Sequence, residues 1–181
     1  PEFLYCWFGL SRIGAISVPI NTAYKRDETT YILNNSGAVA VIGHSDIIGS
    51  LYEAAQLSPN VKFRLAVRTP ESDFVDPEWC DFNTLLNTTE LLDLADLSDS
   101  VSPSDISMLV YTSGTTGNPK GVQVTQKMYV AAGQGFSHWT NATPHDRFFT
   151  CLPYFHANAQ YYSTMGALSA GATLIVSDRF S

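Results

Sequence analysis

Residues 111–121 read Tyr-Thr-Ser-Gly-Thr-Thr-Gly-Asn-Pro-Lys-Gly, a stretch with almost nothing apolar in it. Gly114 and Gly117 permit tight turns and close approach of the backbone to a ligand, and successive N–H groups in such turns converge on an anion. Thr112, Ser113, Thr115 and Thr116 add hydroxyl donors, and Lys120 adds a positive charge on a flexible stem. Pro119 restricts the segment that presents that lysine. Together these parts suit a polyphosphate. The spacing differs from the Gly-x4-Gly-Lys-Ser/Thr nucleotide loop, because Lys120 precedes Gly121 and Val122 offers no hydroxyl for magnesium. It also differs from the Gly-x-Gly-x-x-Gly dinucleotide pattern. On residue types alone, a phosphate cradle and a flexible surface loop both stand. A nucleophilic Ser113 is the weaker option, since no Gly-x-Ser-x-Gly elbow surrounds it.

A second group follows at Pro153-Tyr154-Phe155-His156-Ala157-Asn158-Ala159-Gln160. His156 falls where an expected strand passes into an expected helix, a place where α/β folds put ligand groups. Local hydrogen bonding is the plainer reading of that histidine. Ala157, Asn158 and Ala159 are small enough to leave room for a substrate or a close helix contact. Tyr161, Tyr162 and Met165 fit either a pocket wall or a core. His44, His138 and His145 have no partner at metal-ligand spacing and read as surface or helix-end residues. Phe3, Trp7 and Phe8 share a helical face and read as packing residues.

The elements that must carry these groups alternate. The pattern predicts a buried helix over 2–15, a short strand over 16–20 and a helix over about 28–35 capped by Asp27 and stopped by Gly37. A strand at 38–42 is continuously apolar, as in a covered parallel sheet. A helix from Ser45 or Asp46 to about 57 and a strand over 61–67 follow. Residues 69–104 turn acidic and polar, with a short helix near 81–86, and read as a solvated surface excursion. A strand at 106–110 leads into the glycine-rich stretch. Beyond it come a helix over 122–138, a strand over 147–151, a helix over 158–170 and a strand over 172–176. This alternation predicts an α/β layered fold with a mostly parallel sheet and flanking helices.

Bulk properties narrow the partners. The chain has 181 residues, 45% hydrophobic and 15% charged, so it is globular. A net charge of -7 without a basic patch makes nucleic acid a poor partner. Cys6, Cys80 and Cys151 are an odd, scattered set, which predicts buried free thiols in a reducing, cytoplasmic setting. No apolar run approaches 18 residues, the length that suggests a transmembrane helix. Three Asn-x-Ser/Thr matches, at Asn34, Asn87 and Asn141, are too short a signal to carry weight.

The stretch from Tyr111 to Gly121 closely resembles the phosphate-loop signature of adenylate-forming (AMP-binding) enzymes, which include acyl-CoA synthetases, peptide-synthetase adenylation domains and luciferases. Ile13-Gly14-Ala15-Ile16-Ser17-Val18-Pro19-Ile20-Asn21 is similar to the family's early helix-to-strand segment, and Pro153-Tyr154-Phe155-His156 to the segment before a helix lining the acyl pocket. The overall texture, including Cys6-Trp7-Phe8-Gly9-Leu10, is most similar to the crotonobetaine/carnitine-CoA ligase branch. The resemblance implies that Thr112, Ser113, Thr115, Thr116 and Lys120 contact ATP phosphates, with Gly114, Gly117 and Gly121 allowing the loop its shape. It implies that His156, Phe155 and Asn158 border the acyl pocket, with His156 not a general base. The implied reaction joins a small carboxylic acid to coenzyme A through an acyl-adenylate, using ATP and Mg2+. It further implies that residues 1–181 form part of one large N-terminal domain. The family's magnesium-binding glutamate, ribose-binding aspartate and catalytic lysine would then lie outside the chain, leaving the piece inactive alone. The alternative is a catalytically inactive homologue with a structural or interaction role.

Overall fold

The computed structural model describes residues 1–90, 101–112 and 118–177. They form two compact units, one built from Phe3–Pro19 with the described residues from 101 onward, the other from Ile20 to the described residues ending at 90.

In the second unit, α2 (Arg26–Ser36) begins earlier than Asp27 suggests. Glu28 turns back to accept from the Lys25 N–H at 3.0 Å, so Asp27 lies inside the first turn, where its charge favours the helix dipole. Gly37 closes the helix at φ 67°, a left-handed conformation that suits glycine. β1 (Ala40–His44), a 3-10 turn over Ser45–Ile47 and α3 (Gly49–Gln56) follow, then β2 (Phe63–Val67), β3 (Cys80–Asp81) and α4 (Phe82–Thr88). The three strands run parallel in the order β1-β2-β3. Leu33, Val41, Ala54, Ala66 and Trp79 fill the core beside them. Within the acidic span, Trp79 and Phe82 are buried, Asp76 accepts from the Tyr52 hydroxyl at 2.9 Å, and Asp81 caps α4 by accepting from Thr84 N at 2.7 Å. Those two carboxylates therefore have structural work; residues 91–100, which hold much of the aspartate-rich run, lie outside the described part.

In the first unit, α1 (Glu2–Arg12) ends short of Gly14, which takes φ 73°. The expected strand over 16–20 reduces to one parallel bridge from Ser17 to Met108. β4 (Ile106–Thr112) and β5 (Lys120–Thr125) form an antiparallel hairpin, and α5 (Gln126–Thr140) follows. The helix expected from 122 thus starts at Gln126: Val122 and Val124 alternate with Gln123 and Thr125, and the β-branched Val122, Val124 and Thr125 favour a strand. β6 (Arg147–Thr150) pairs in parallel with β7 (Thr173–Val176). Between them, the expected helix is a π-helical segment, Ala159–Thr164, running into α6 (Met165–Ala170). The fold is α/β with mixed parallel and antiparallel pairing.

Trp7, Met108, Val124 and Tyr129 make this unit's core, with Phe3, Tyr161 and Met165 packed against it. Phe8 stacks on Trp7 at 4.9 Å, as a packing residue would, yet remains 38% exposed. The cysteines also depart from the buried positions expected: Cys80 is exposed and Cys6 and Cys151 are half-buried.

Candidate functional site

The hairpin determines how the glycine-rich stretch is presented. Residues directly opposite on antiparallel strands project to one face, and Met108–Val124, Val110–Val122 and Thr112–Lys120 are opposed in turn. Burial falls along this face. Met108 and Val124 are enclosed, Val110 is buried against an exposed Val122, and Thr112 and Lys120 are both exposed. The core therefore anchors one end of the ladder, and the other end places Thr112 opposite Lys120, on either side of residues 113–117 in sequence. Gly121 belongs to β5, opposite Tyr111 on the other face. A Cβ there would lie 3.2 Å from the Tyr111 ring, so the missing side chain lets that ring lie across the strand. Ser113, Gly114, Thr115, Thr116 and Gly117 lie outside the described residues.

The second segment is a turn fastened to a helix. His156 N donates to the Pro153 carbonyl at 3.0 Å. The Phe155 and His156 rings lie 4.5 Å apart, and His156 and Asn158 are exposed while Phe155 is half-buried. The Tyr154 ring stacks on Phe3 at 4.9 Å. Behind the turn, Gln160 is wholly buried. Its Nε2 donates to the Tyr154 carbonyl and its Oε1 accepts from the Tyr129 hydroxyl at 2.6 Å. A carbonyl can only accept, so the amide's NH2 must face Tyr154 and its oxygen the phenol. The Tyr129 oxygen also lies 3.0 Å from Met108 Sδ. A continuous buried path thus runs from β4 through α5 and Gln160 to the turn that carries Phe155 and His156.

Burial, with the neighbouring Tyr161 phenol second, pushes Tyr129 far above the ordinary tyrosine range, so it stays a neutral donor. Tyr161 is raised by burial and by Tyr162. A groove of about 660 Å³ lies elsewhere in this unit, along Phe8, Arg12, Gln126, Lys127 and Val130, and none of the sequence-predicted site residues lines it.

The AMP-binding enzyme family model matches residues 1–181, the whole chain. The chain belongs to the AMP-binding enzyme family. Within it, a crotonobetaine/carnitine–CoA ligase of Escherichia coli O127:H6 is 35% identical over 182 residues, covering 100% of this chain and 34% of that protein. The chain therefore spans about a third of the length of the curated relatives it matches. Among solved structures, an anthranilate CoA ligase in complex with anthranoyl-AMP superposes with a TM-score of 0.87 at 24% identity, covering 99% of this chain and 33% of that one. ATP-bound MatB from Rhodopseudomonas palustris superposes with a TM-score of 0.78 at 20% identity, covering 99% and 33%. At these identities the two structures speak for the fold of an AMP-binding enzyme.

Two residues of this AMP-binding chain escaped the sequence reading. Gln160 stands in the segment singled out there, yet nothing in its type separates a buried amide from an exposed one. Tyr129 sits in the first turn of α5, directly after residues 122–125, which lie in a strand where the pattern predicts helix. The useful signal was an amide at position 160, flanked directly by the small Ala159 and the aromatic Tyr161.

Proposed function

We propose that the protein activates a carboxylic acid with ATP and passes the acyl group to coenzyme A. A carboxylate oxygen attacks the α-phosphorus, the bond to the β-phosphate breaks, and pyrophosphate leaves. The thiol sulfur then attacks the acyl carbon and AMP departs. Such nucleotidyl transfer relies on positioning and neutralised charge more than on a protein nucleophile. The observation that carries this reading is the exposed Thr112–Lys120 pair at the base of a loop rich in glycine and hydroxyls, in a chain matched along its whole length by the AMP-binding family.

In this reading Lys120 neutralises phosphate charge. Thr112, Ser113, Thr115 and Thr116 donate to phosphate oxygens, with Gly114 and Gly117 opening the backbone to them. Phe155, His156 and Asn158 border the acyl group. Magnesium accompanies the nucleotide; among the described residues no group of three or more His, Cys, Asp and Glu is placed to hold a metal, so no ligand in this part is assigned to it. The named relatives favour carnitine or crotonobetaine as the acid. Residues 1–181 would be part of one larger nucleotide-binding domain, working in the cytoplasm.

The test is ATP–pyrophosphate exchange by the complete reading frame against carnitine, crotonobetaine, γ-butyrobetaine and fatty acids of graded length. Exchange with one acid, weakened in Lys120→Ala, is the expected result. A folded protein with no exchange and no detectable ATP binding would overturn the reading in favour of an inactive homologue.

A further inference from the structure

The helix after His156 is wound differently from the others around it, and its side chains say why. Six other side-chain hydroxyls among the described residues bond back to the carbonyl four residues earlier: Thr30 to Arg26, Ser36 to Ile32, Ser58 to Ala54, Thr88 to Thr84, Thr89 to Leu85, and Thr140 to Phe136. Thr164 bonds to Ala159, five residues earlier, at 2.8 Å. That is the spacing of a π-helix. The fully enclosed positions keep the same count, with Ala159, Gln160 and Thr164 all at or below 2% exposure. An α-helical winding of the same segment would turn Ala159 and Thr164, five residues apart, away from a common face and withdraw one of them from the interior.

Contacts from α5 hold the wider turn in place. The Tyr129 hydroxyl meets Gln160 Oε1, and the Tyr129 ring stacks on Tyr161 at 4.8 Å. One turn on, a Cβ at Gly133 would lie 2.4 Å from the Met165 carbonyl oxygen, so the two helices touch backbone to backbone there. Gln160 then reaches out of the helix to the Tyr154 carbonyl, two residues before His156. A wholly buried amide that bonds one element on each side fixes the distance between them.

We infer that Gln160 and Tyr129 are positioning residues: they lock residues 159–164 in π-helical register and so set where Phe155, His156 and Asn158 face the acyl group. This rests on the acid-activating reading above. Among the described residues the side-chain hydrogen bonds of the pair go to each other, to Met108 and to Tyr154, none of them a predicted phosphate contact, so its removal is expected to act on the acid and leave ATP binding alone.

The test uses the complete reading frame carrying Gln160→Met, which keeps length and removes both hydrogen bonds, and separately Thr164→Val, which keeps shape and removes the five-residue back-bond. Backbone hydrogen exchange over 153–164 is expected to quicken by about tenfold in each, with 40–67 unchanged. The KM for the acid is expected to rise about tenfold while that for ATP stays within about twofold, the mark of lost acid positioning. Unchanged protection over 153–164, or an ATP KM that rises as much as the acid KM, would overturn the inference. Should Gln160→Met fail to fold, Thr164→Val decides by the same two readouts. A wild-type protein that exchanges no pyrophosphate would fail the functional reading instead, and protection over 153–164 would then judge the π-register lock by itself.

Discussion

The β4–β5 hairpin and the helical pair formed by α5 with the π-helical segment and α6 solve the same problem by opposite means. Each holds exposed groups against a shared core. The hairpin does so through backbone: its ladder specifies which residues oppose each other, and the polar pair Thr112–Lys120 emerges at the end of a row begun by Met108–Val124. The helical pair does so through side chains and missing side chains, with Gln160 bonded on two sides and Gly133 against the Met165 backbone. A ladder tolerates exchange of the side chains it presents. A side-chain clamp does not tolerate exchange of the clamp. Mutations should therefore separate the regions cleanly: changes at the hairpin's end should alter function and spare stability, while changes in the helical pair should alter stability first.

The largest expected effect tests the hairpin half. Lys120→Ala should slow ATP–pyrophosphate exchange by about a hundredfold, as expected for removing one charge aimed at a reacting phosphate. Its melting temperature should stay within about 1 °C, because an exposed strand-end residue contributes little to stability. A large thermal shift in this variant would break the comparison. On the other side, Gly133→Ala pits two effects against each other. Alanine favours the helix by about 1 kcal/mol over glycine. Against that, its methyl would stand 2.4 Å from a backbone oxygen that cannot swing away, and forcing packed helices apart costs about 1–3 kcal/mol. A net destabilisation of up to about 2 kcal/mol in urea is expected.

How much of this was legible beforehand follows the same division. The strand–loop chemistry could be read because it depends on residue type: glycines, hydroxyls, a lysine and a proline in one run. The alternation of elements, and with it the α/β class, could be read because burial imposes periodicity. The hairpin itself was missed, since Val122 and Val124 were absorbed into the helix that begins at Gln126. The π-helix was missed for a different reason. Its winding is decided by tertiary partners, Tyr129 and the Thr164 hydroxyl, and a pattern of apolar residues over 158–170 fits an α-helix as well. Trp79 was read as part of a solvated span, because surrounding aspartates outweighed one aromatic in the local average. Ser113 to Gly117, the centre of the predicted phosphate loop, lie outside the described residues.

Tyr129→Phe sharpens the clamp half at a smaller scale. It leaves the ring stacking on Tyr161 and removes one hydroxyl, stranding Gln160 Oε1 in the interior. An unpaired buried acceptor costs about 1–3 kcal/mol, and the low end is expected here because only one of the amide's two bonds is lost. A pH series gives an independent reading. An unfolded tyrosine ionises near 10.0, whereas the folded Tyr129 keeps its proton well above that. Its stabilising contribution is therefore complete below pH 10.0 and declines as pH rises beyond it. The decline approaches about 1.4 kcal/mol per pH unit, since the unfolded chain gives up a proton that the native chain retains. The phenylalanine variant should lose stability less steeply above that pH. Parallel alkaline curves for the two proteins would mean that the phenol is not held in the interior.

The smallest effect carries the opposite sign. Gly135 lies in the same helix as Gly133, two residues on, and a Cβ there would meet nothing within 4 Å. Its φ is not in the left-handed range, so alanine fits the backbone without strain. Gly135→Ala should therefore stabilise by about 0.5–1 kcal/mol, through helix propensity and a less flexible unfolded chain. Two glycines in one helix would then respond in opposite directions to the same methyl group, because one faces a backbone and the other faces space. If Gly135→Ala destabilised as strongly as Gly133→Ala, the cost would belong to this helix's tolerance of added bulk in general. The close approach of Gly133 to Met165 would then lose its standing as the contact that seats the π-helical segment on α5.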